Sequence, residues 1–268
     1  MNSDISNERK LFLQKKKKRK LAILFTQIFI LVAFIILWEI LANLGVINPF
    51  ITSQPSRILD TILDFSSNNL VLHVLTTCYE TLVGFLLGTV IGTIIAAVLW
   101  WSPFASKTFE PFLIVLHSLP KVALGPIIIV WAGAGTSAII VMALAISVIV
   151  TILEMLNGFL ATDKNLIKLA NTFNATKWQI FSKIVFPANI KTLINSMKVN
   201  IGLSLVGVIS GEFLVSKAGL GYLIVYGGQV FKLDLVMTSV IILGIVAARD
   251  VSVCCLAWEA YFEVYIAC

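Results

Sequence analysis

The chain has 268 residues, 59% of them hydrophobic and 13% charged, and its 20 Lys and Arg outnumber 14 Asp and Glu for a net charge of +6. A soluble globular domain is about half apolar and about one quarter charged, so this composition excludes an ordinary soluble domain and points to a membrane protein. Cys78, Cys254, Cys255 and Cys268 show no metal-ligand or disulfide-framework spacing, and His73 and His117 stand alone, so no metal site and no catalytic cluster is expected.

In chain order, the first feature is Arg9-Lys10 followed by KKKKRK at 15–20, directly before an apolar stretch at 21–44. A basic cluster abutting a long hydrophobic run reads as a cytoplasmic arm seated on membrane lipid, not as a nucleic-acid patch. The stretch is longer than the roughly 7–15 apolar residues of a secretory signal and lacks a small-residue cleavage site, so it is expected to stay as a helix. Spanning a bilayer takes about 20 apolar residues. Such windows fall at 21–44, 80–101, 109–132, 137–160, 192–215 and 235–257.

Gly84, Gly88 and Gly92 in the second window repeat at a spacing that lets helices approach closely. The third window holds Pro111, Pro120 and Pro126. A broken helix is expected there, packed inside the bundle beside a pathway, because freed backbone groups at membrane depth need protein or water. Arg249-Asp250 interrupts the sixth window. Glu39 and Glu80 are expected to cap or flank spans and Glu154 to lie near an inner boundary, while Asn195 and Asn200 face either a cavity or a neighbouring helix. Lysines gather in alternate connections: Lys107 in one turn, then Lys164, Lys168, Lys177, Lys183 and Lys191 between the fourth and fifth windows. The other connections carry Arg57, Lys217 and Lys232, so the bias places the N-terminus inside.

The connection 161–191 reads as two short helices. Asp163 is a candidate N-cap for KNLIKLANTF, with Leu166, Leu169, Ala170 and Phe173 on one face. Asn174 suits a left-handed turn. Thr176 with Gln179 forms a capping-box pattern for a second helix that puts Trp178, Phe181 and Val185 on one side and ends near Pro187. Such an amphipathic hairpin serves either as a helix on anionic lipid or as a docking element for a soluble partner.

The stretch resembles the loop signature of bacterial ABC importer permeases: Glu-Ala-Ala, three residues, Gly, nine residues, Ile, one residue, Leu, Pro. Here Lys168-Leu169-Ala170 occupy the first three places, Asn174 the Gly, Ile184 the Ile, Phe186 the Leu and Pro187 the Pro. The spacing holds throughout, while identity holds at Ala170, Ile184 and Pro187, and Lys168 reverses the charge of the Glu place. WEILANLGVINPFITSQPSRIL (38–59), LPKVALGPIIIVWAGAG (119–135) and GEFLVSKAGLGYLI (211–224) are similar to the same permeases. The group is that of nitrate, sulfonate, taurine and bicarbonate importers, with permeases for thiamin precursors and riboflavin close by. The resemblance covers roughly 35–248.

The resemblance implies a half-channel that pairs with a second permease subunit, expected as a homodimer. It implies an extracytoplasmic solute-binding protein that delivers a small organic anion or vitamin precursor, and a cytosolic ABC ATPase dimer gripped by the hairpin. The chain has no P-loop sequence, so ATP belongs on that partner and no cofactor is expected on this chain, which is not expected to be an enzyme. Coupling would then rest on Asp163, Leu166, Lys168, Leu169, Ala170, Phe173, Asn174, Trp178, Ile184 and Pro187. Pro120, Lys121, Pro126, Glu212, Gly219 and Gly221 are the pathway or gate candidates. For Lys121 the plainer reading is a snorkelling interfacial lysine, and for Glu212 an interfacial carboxylate bonded to a loop amide.

The expected fold is all-α: a polytopic integral membrane protein of about six transmembrane helices with the coupling-helix hairpin between the fourth and fifth. It divides into a basic cytoplasmic arm (1–20), a transmembrane domain (21–248) and a tail (249–268), in a multi-pass bacterial cell membrane location. The tail, RDVSVCCLAWEAYFEVYIAC, departs from the family and is expected to derive from a changed reading frame, which would make a defective permease. A self-contained secondary transporter or channel is the other alternative, although neither inverted repeats nor a midplane ionisable relay is evident.

Overall fold

A computed structural model describes residues 7–64 and 69–266, with side chains described over 12–64 and 69–249. The described elements are helices and turns, arranged in two compact units, Met1–Asp64 and Phe65–Cys268.

In the first unit, helix α1 runs Asn7–Asn43 and so includes the lysine run as well as the predicted span. Its side chains over 12–37 are exposed within the chain, and Ala42 is buried near its end. Two short helices follow, α2 (Pro49–Thr52) and α3 (Pro55–Leu63), each opened by a proline whose missing N–H costs nothing in a first turn. Glu39, near the end of α1, accepts hydrogen bonds from the Ser56 backbone N–H (3.2 Å), the Ser56 hydroxyl (3.1 Å) and Asn43 Nδ2 (3.3 Å). It therefore fastens α3 to α1, the flanking role expected of it.

In the second unit, helix α4 (Leu70–Trp101) is followed by α5 (Pro103–Ser118), a 3-10 turn (Lys121–Leu124) and α6 (Gly125–Ala132). Then come α7 (Thr136–Leu160), α8 (Lys164–Thr172), α9 (Lys177–Ile180), a π-turn (Phe181–Val185) and α10 (Phe186–Ala188). The chain closes with α11 (Ile190–Val215), α12 (Leu220–Gln229) and α13 (Leu233–Ile266).

The core of this unit is a stack of α4, α7 and α11 held by small residues. Gly84, Gly88 and Gly92 of α4 meet Ala143, Ser147 and Thr151 of α7 in the same chain sense, so these two helices are parallel. Gly207 and Gly211 of α11 meet Ala143 and Ile139 of α7 in the opposite sense. A Cβ on Gly84 would lie 2.7 Å from the Ala143 Cβ, and one on Gly207 2.6 Å from the Ala143 Cα, so backbone proximity depends on the missing side chains. Because α4 and α7 are parallel, the segment between them must return the chain across the full height of the unit. It does so as α5 and the 121–132 helices, bent by 85° at Leu119-Pro120.

Among the described residues, four helices are long and apolar enough to cross a membrane, Phe12–Asn43 within α1, α4, α7 and α11, and the bent pair makes five. The sixth predicted window lies within α13. The side chains of the tail from 250 onward lie outside the described residues, and so does the reading of the tail as a changed frame.

Two sequence expectations need correction. The second span begins at Leu70, not at 80, so Glu80 is inside the helix and does not cap it. The broken third segment was expected to pack inside the bundle. In this chain Phe104, Phe109, Phe112, Val130 and Trp131 are exposed, and Ser106, Leu113, Gly125 and Ile128 are its buried positions. Pro111 also sits inside α5 without ending it, and the break falls at Pro120.

Candidate functional site

Two constellations stand at opposite ends of the second unit. At one end, α4 finishes at Trp101, α7 finishes at Leu160, and the 163–187 hairpin packs below them. Asp163 caps α8 by accepting from Asn165 N–H at 2.8 Å. Helix α8 stops in a nested pair of bonds, Ala175 N–H to Ala170 O (3.1 Å) and Asn174 N–H to Asn171 O (3.0 Å), over a left-handed Asn174 with φ +54°. Thr176 and Gln179 then form the expected box: Thr176 N–H donates to Gln179 Oε1 at 2.8 Å, and Gln179 N–H to Thr176 Oγ1 at 3.3 Å. The hairpin geometry is thus written into local polar chemistry.

Burial then separates its two faces. Ile167, Ala170 and Ala175 pack against the core cluster containing Ala96, Leu99, Met155, Leu156 and Phe159. Ile180, Phe181 and Val185 are buried in the same cluster, with the Phe181 ring 5.2 Å from Trp100 and 5.4 Å from Phe159. The opposite face is bare: Leu166 is 47% exposed, Leu169 56%, Phe173 77% and Trp178 63%. Lys168 is exposed beside them, and Ile184 and Pro187 are half-buried where the chain turns into α11. Of the residues predicted to share one apolar face, Ala170 is the one drawn to the core. In the second helix Trp178 is exposed, whereas Phe181 and Val185 are buried. The π-turn at 181–185 adapts the helix to Pro187, whose ring cannot sit in an unbroken ladder.

At the other end, the turn before α12 is received by a buried polar cluster. Glu212 accepts from Thr77 Oγ1 at 2.7 Å through Oε1 and from Gly221 N–H at 2.6 Å through Oε2. Leu220 N–H donates to Thr77 Oγ1 at 2.8 Å, and Gly219 N–H to His73 Nδ1 at 2.9 Å. Three successive backbone amides at the start of α12 are thereby satisfied by side chains of α4 and α11. Gly219 has φ +116°, and any side chain there would run into the Glu212 carboxyl. The predicted gate candidates Glu212, Gly219 and Gly221 are therefore brought together. His73, Thr77 and Glu80 were missed as partners, although their spacing puts them on one face of α4.

The remaining pathway candidates lie elsewhere. Pro120 forms the break, and Pro126 sits in the first turn of α6. Lys121 Nζ donates to the His117 carbonyl at 2.9 Å. Its side chain also lines an open groove of about 380 Å³, with Ile91, Leu116, Leu124, Val141 and Leu144 among its walls. Lys121 is the charged residue of that lining, and the rest is apolar. Asn200, the other open question, is buried against a neighbouring helix: its amide donates to Thr151 Oγ1 and, at 3.4 Å, to Ser196 Oγ.

Residues 88–252 match the family described as the binding-protein-dependent transport system inner membrane component. A Bacillus subtilis protein named as an aliphatic sulfonates transport permease, SsuC, is 27% identical over 214 residues, 79% of this chain and 77% of its own length. The formylaminopyrimidine transport permease ThiX of Halalkalibacterium halodurans is 24% identical over 205 residues, 76% of this chain and 81% of its own. Among solved structures, a chain of the MetNI methionine ABC transporter, in an inward-facing conformation, superposes with a TM-score of 0.65 at 20% identity. That match covers 73% of this chain and 98% of the other, and it places the two in one fold.

Proposed function

The chain belongs to the family of binding-protein-dependent transport system inner membrane components, and from that premise we propose that it forms half of a translocation pathway for a small organic anion. It is a multi-pass membrane permease of an ABC importer, a class that works with an ATPase and a solute-binding protein. We read its partners more finely as a second copy of itself, a cytosolic ATPase dimer that holds the ATP, and an extracytoplasmic binding protein. The N-terminus then lies in the cytoplasm of a bacterial cell.

The observation that carries this reading is the hairpin. Leu166, Leu169, Phe173 and Trp178 stay exposed on an element whose other face is anchored in the core. A helix left apolar on its outer side and rigid on its inner side suits a groove on another protein. Motion of that protein would be passed into α4 and α7 as a rigid-body displacement. For the substrate, Lys121 offers one positive charge in an otherwise apolar groove, which fits an anion carrying a small hydrocarbon or ring. The sulfonate and formylaminopyrimidine named for relatives are of that size.

The test is co-purification. Tagged chain is extracted in detergent from cells that also express its cytosolic ABC ATPase, and compared with L169E/F173E, two exposed positions whose change spares the core. The ATPase should accompany the native chain and be lost from the variant, with both eluting as folded protein. Equal recovery from both would return the hairpin to the lipid surface.

A further inference from the structure

Donor bookkeeping at the start of α12 assigns a proton. Both oxygens of Glu212 are acceptors of fixed donors, Thr77 Oγ1–H at 2.7 Å and Gly221 N–H at 2.6 Å. The Thr77 hydroxyl has one hydrogen, and its oxygen already accepts from Leu220 N–H at 2.8 Å, so that hydrogen is committed to Glu212. Glu212 is thus arranged as the carboxylate.

Glu80 lies within hydrogen-bonding reach of Glu212, with Thr136 beside it. Both glutamates are 1% exposed, and Glu80 Oε2 has no hydrogen-bond partner. Two ionised carboxyls in contact in a buried site repel, and each needs a counter-charge or a proton. Among the described residues, the other side chains that the cluster brings together supply no positive charge. From α4 comes His73, whose Nδ1 accepts from Gly219 N–H and is therefore unprotonated, leaving the ring neutral. From α12 comes Tyr222, stacked on His73 with ring centroids 5.7 Å apart, and from α7 comes Thr136.

We propose that Glu80 is a proton-binding site: it is carried as the neutral acid, and its O–H donates to the Glu212 carboxylate. The proton completes a chain of contacts in which α4 holds α11 and α11 holds α12. When the proton leaves, the pair carries two negative charges, and the tie that seats the 219–221 turn opens. This inference is independent of the transport reading, since it uses only the burial and the contacts of the cluster.

Infrared spectroscopy of the full chain in detergent at neutral pH tests it. Wild type should show the carbonyl band of a protonated carboxylic acid, and E80Q should lack it. In E80Q the amide donates to Glu212 in place of the acid, so its melting temperature should stay within about 2 °C of wild type. Glu80→Ala removes the donor and should lower it by roughly 5 °C. Absence of the band in wild type overturns the proposal, as does a band that survives E80Q unchanged. An E80Q chain that fails to fold, or melts as low as Glu80→Ala, also overturns it, because the amide provides the same donor.

Discussion

The two ends of the Phe65–Cys268 unit are held by opposite physics. At the hairpin end the ties are mainly apolar: Phe159, Phe181 and Trp100 interlock, most hydrogen bonds shape the local turns, and one buried bond, Asn189 Nδ2 to Thr162 Oγ1 at 2.8 Å, closes the base of the hairpin. At the α12 end the ties are polar and long-range: Thr77 reaches Glu212 across 135 residues of sequence, and His73 reaches Gly219 across 146. Apolar packing tolerates small tilts because it is non-directional. A set of buried hydrogen bonds has one geometry, and leaving it half-made costs more than not having it. The first end is therefore built to bear on a partner and the second to keep one arrangement or lose it.

The largest effect should come from the apolar end. Phe181→Ala removes the ring around which the cluster forms, and should lower stability by about 3–5 kcal/mol, read as thermal unfolding in detergent. Less than about 1 kcal/mol lost would mean that the hairpin is not anchored there. At the polar end, Gly221→Ala brings a Cβ to 2.8 Å from Glu212 and should cost about 1–3 kcal/mol, while leaving hairpin binding to the ATPase intact. Loss of ATPase binding in this variant would show that the two ends are not separable. Thr176→Ala removes one half of the capping box and should cost about 1 kcal/mol, with hydrogen exchange rising at 176–180 but not at 219–223. The smallest change in stability is expected for L169A/F173A. Both side chains are exposed, so unfolding should move by less than about 0.5 kcal/mol while affinity for the ATPase drops at least tenfold. A stability loss as large as that of Phe181→Ala would make these residues core.

The hairpin was legible in the sequence because each of its signals is local. Asp163, Asn174 and the Thr176–Gln179 pair act on amides within three residues of themselves. The spans were legible from composition alone. The start of α4 was not, because His73, Thr76, Thr77 and Glu80 depress hydropathy over 70–80 and look like a boundary. Their polarity is satisfied or shared inside the unit, and no sum along the chain records that. The same holds for Glu212, whose place beside Gly221 could be guessed but whose partners on α4 could not. The exposure of the 103–132 segment was missed for a related reason: prolines predict where a helix breaks, not what covers it.

The glycine seam between α4 and α7 carries a further consequence. Gly84, Gly88 and Gly92 repeat every turn, and so do Ala143, Ser147 and Thr151 opposite them. A toothed pair with equal pitch on both sides fits as well after a slip of one tooth, so shape alone leaves the vertical alignment undetermined. What fixes it is indexing against α11. Asn200 pins Thr151 of one helix and Glu212 pins Thr77 of the other, two dowels through a common post. A chain cut to slide smoothly is locked into a single step by two hydrogen-bonded side chains near its ends.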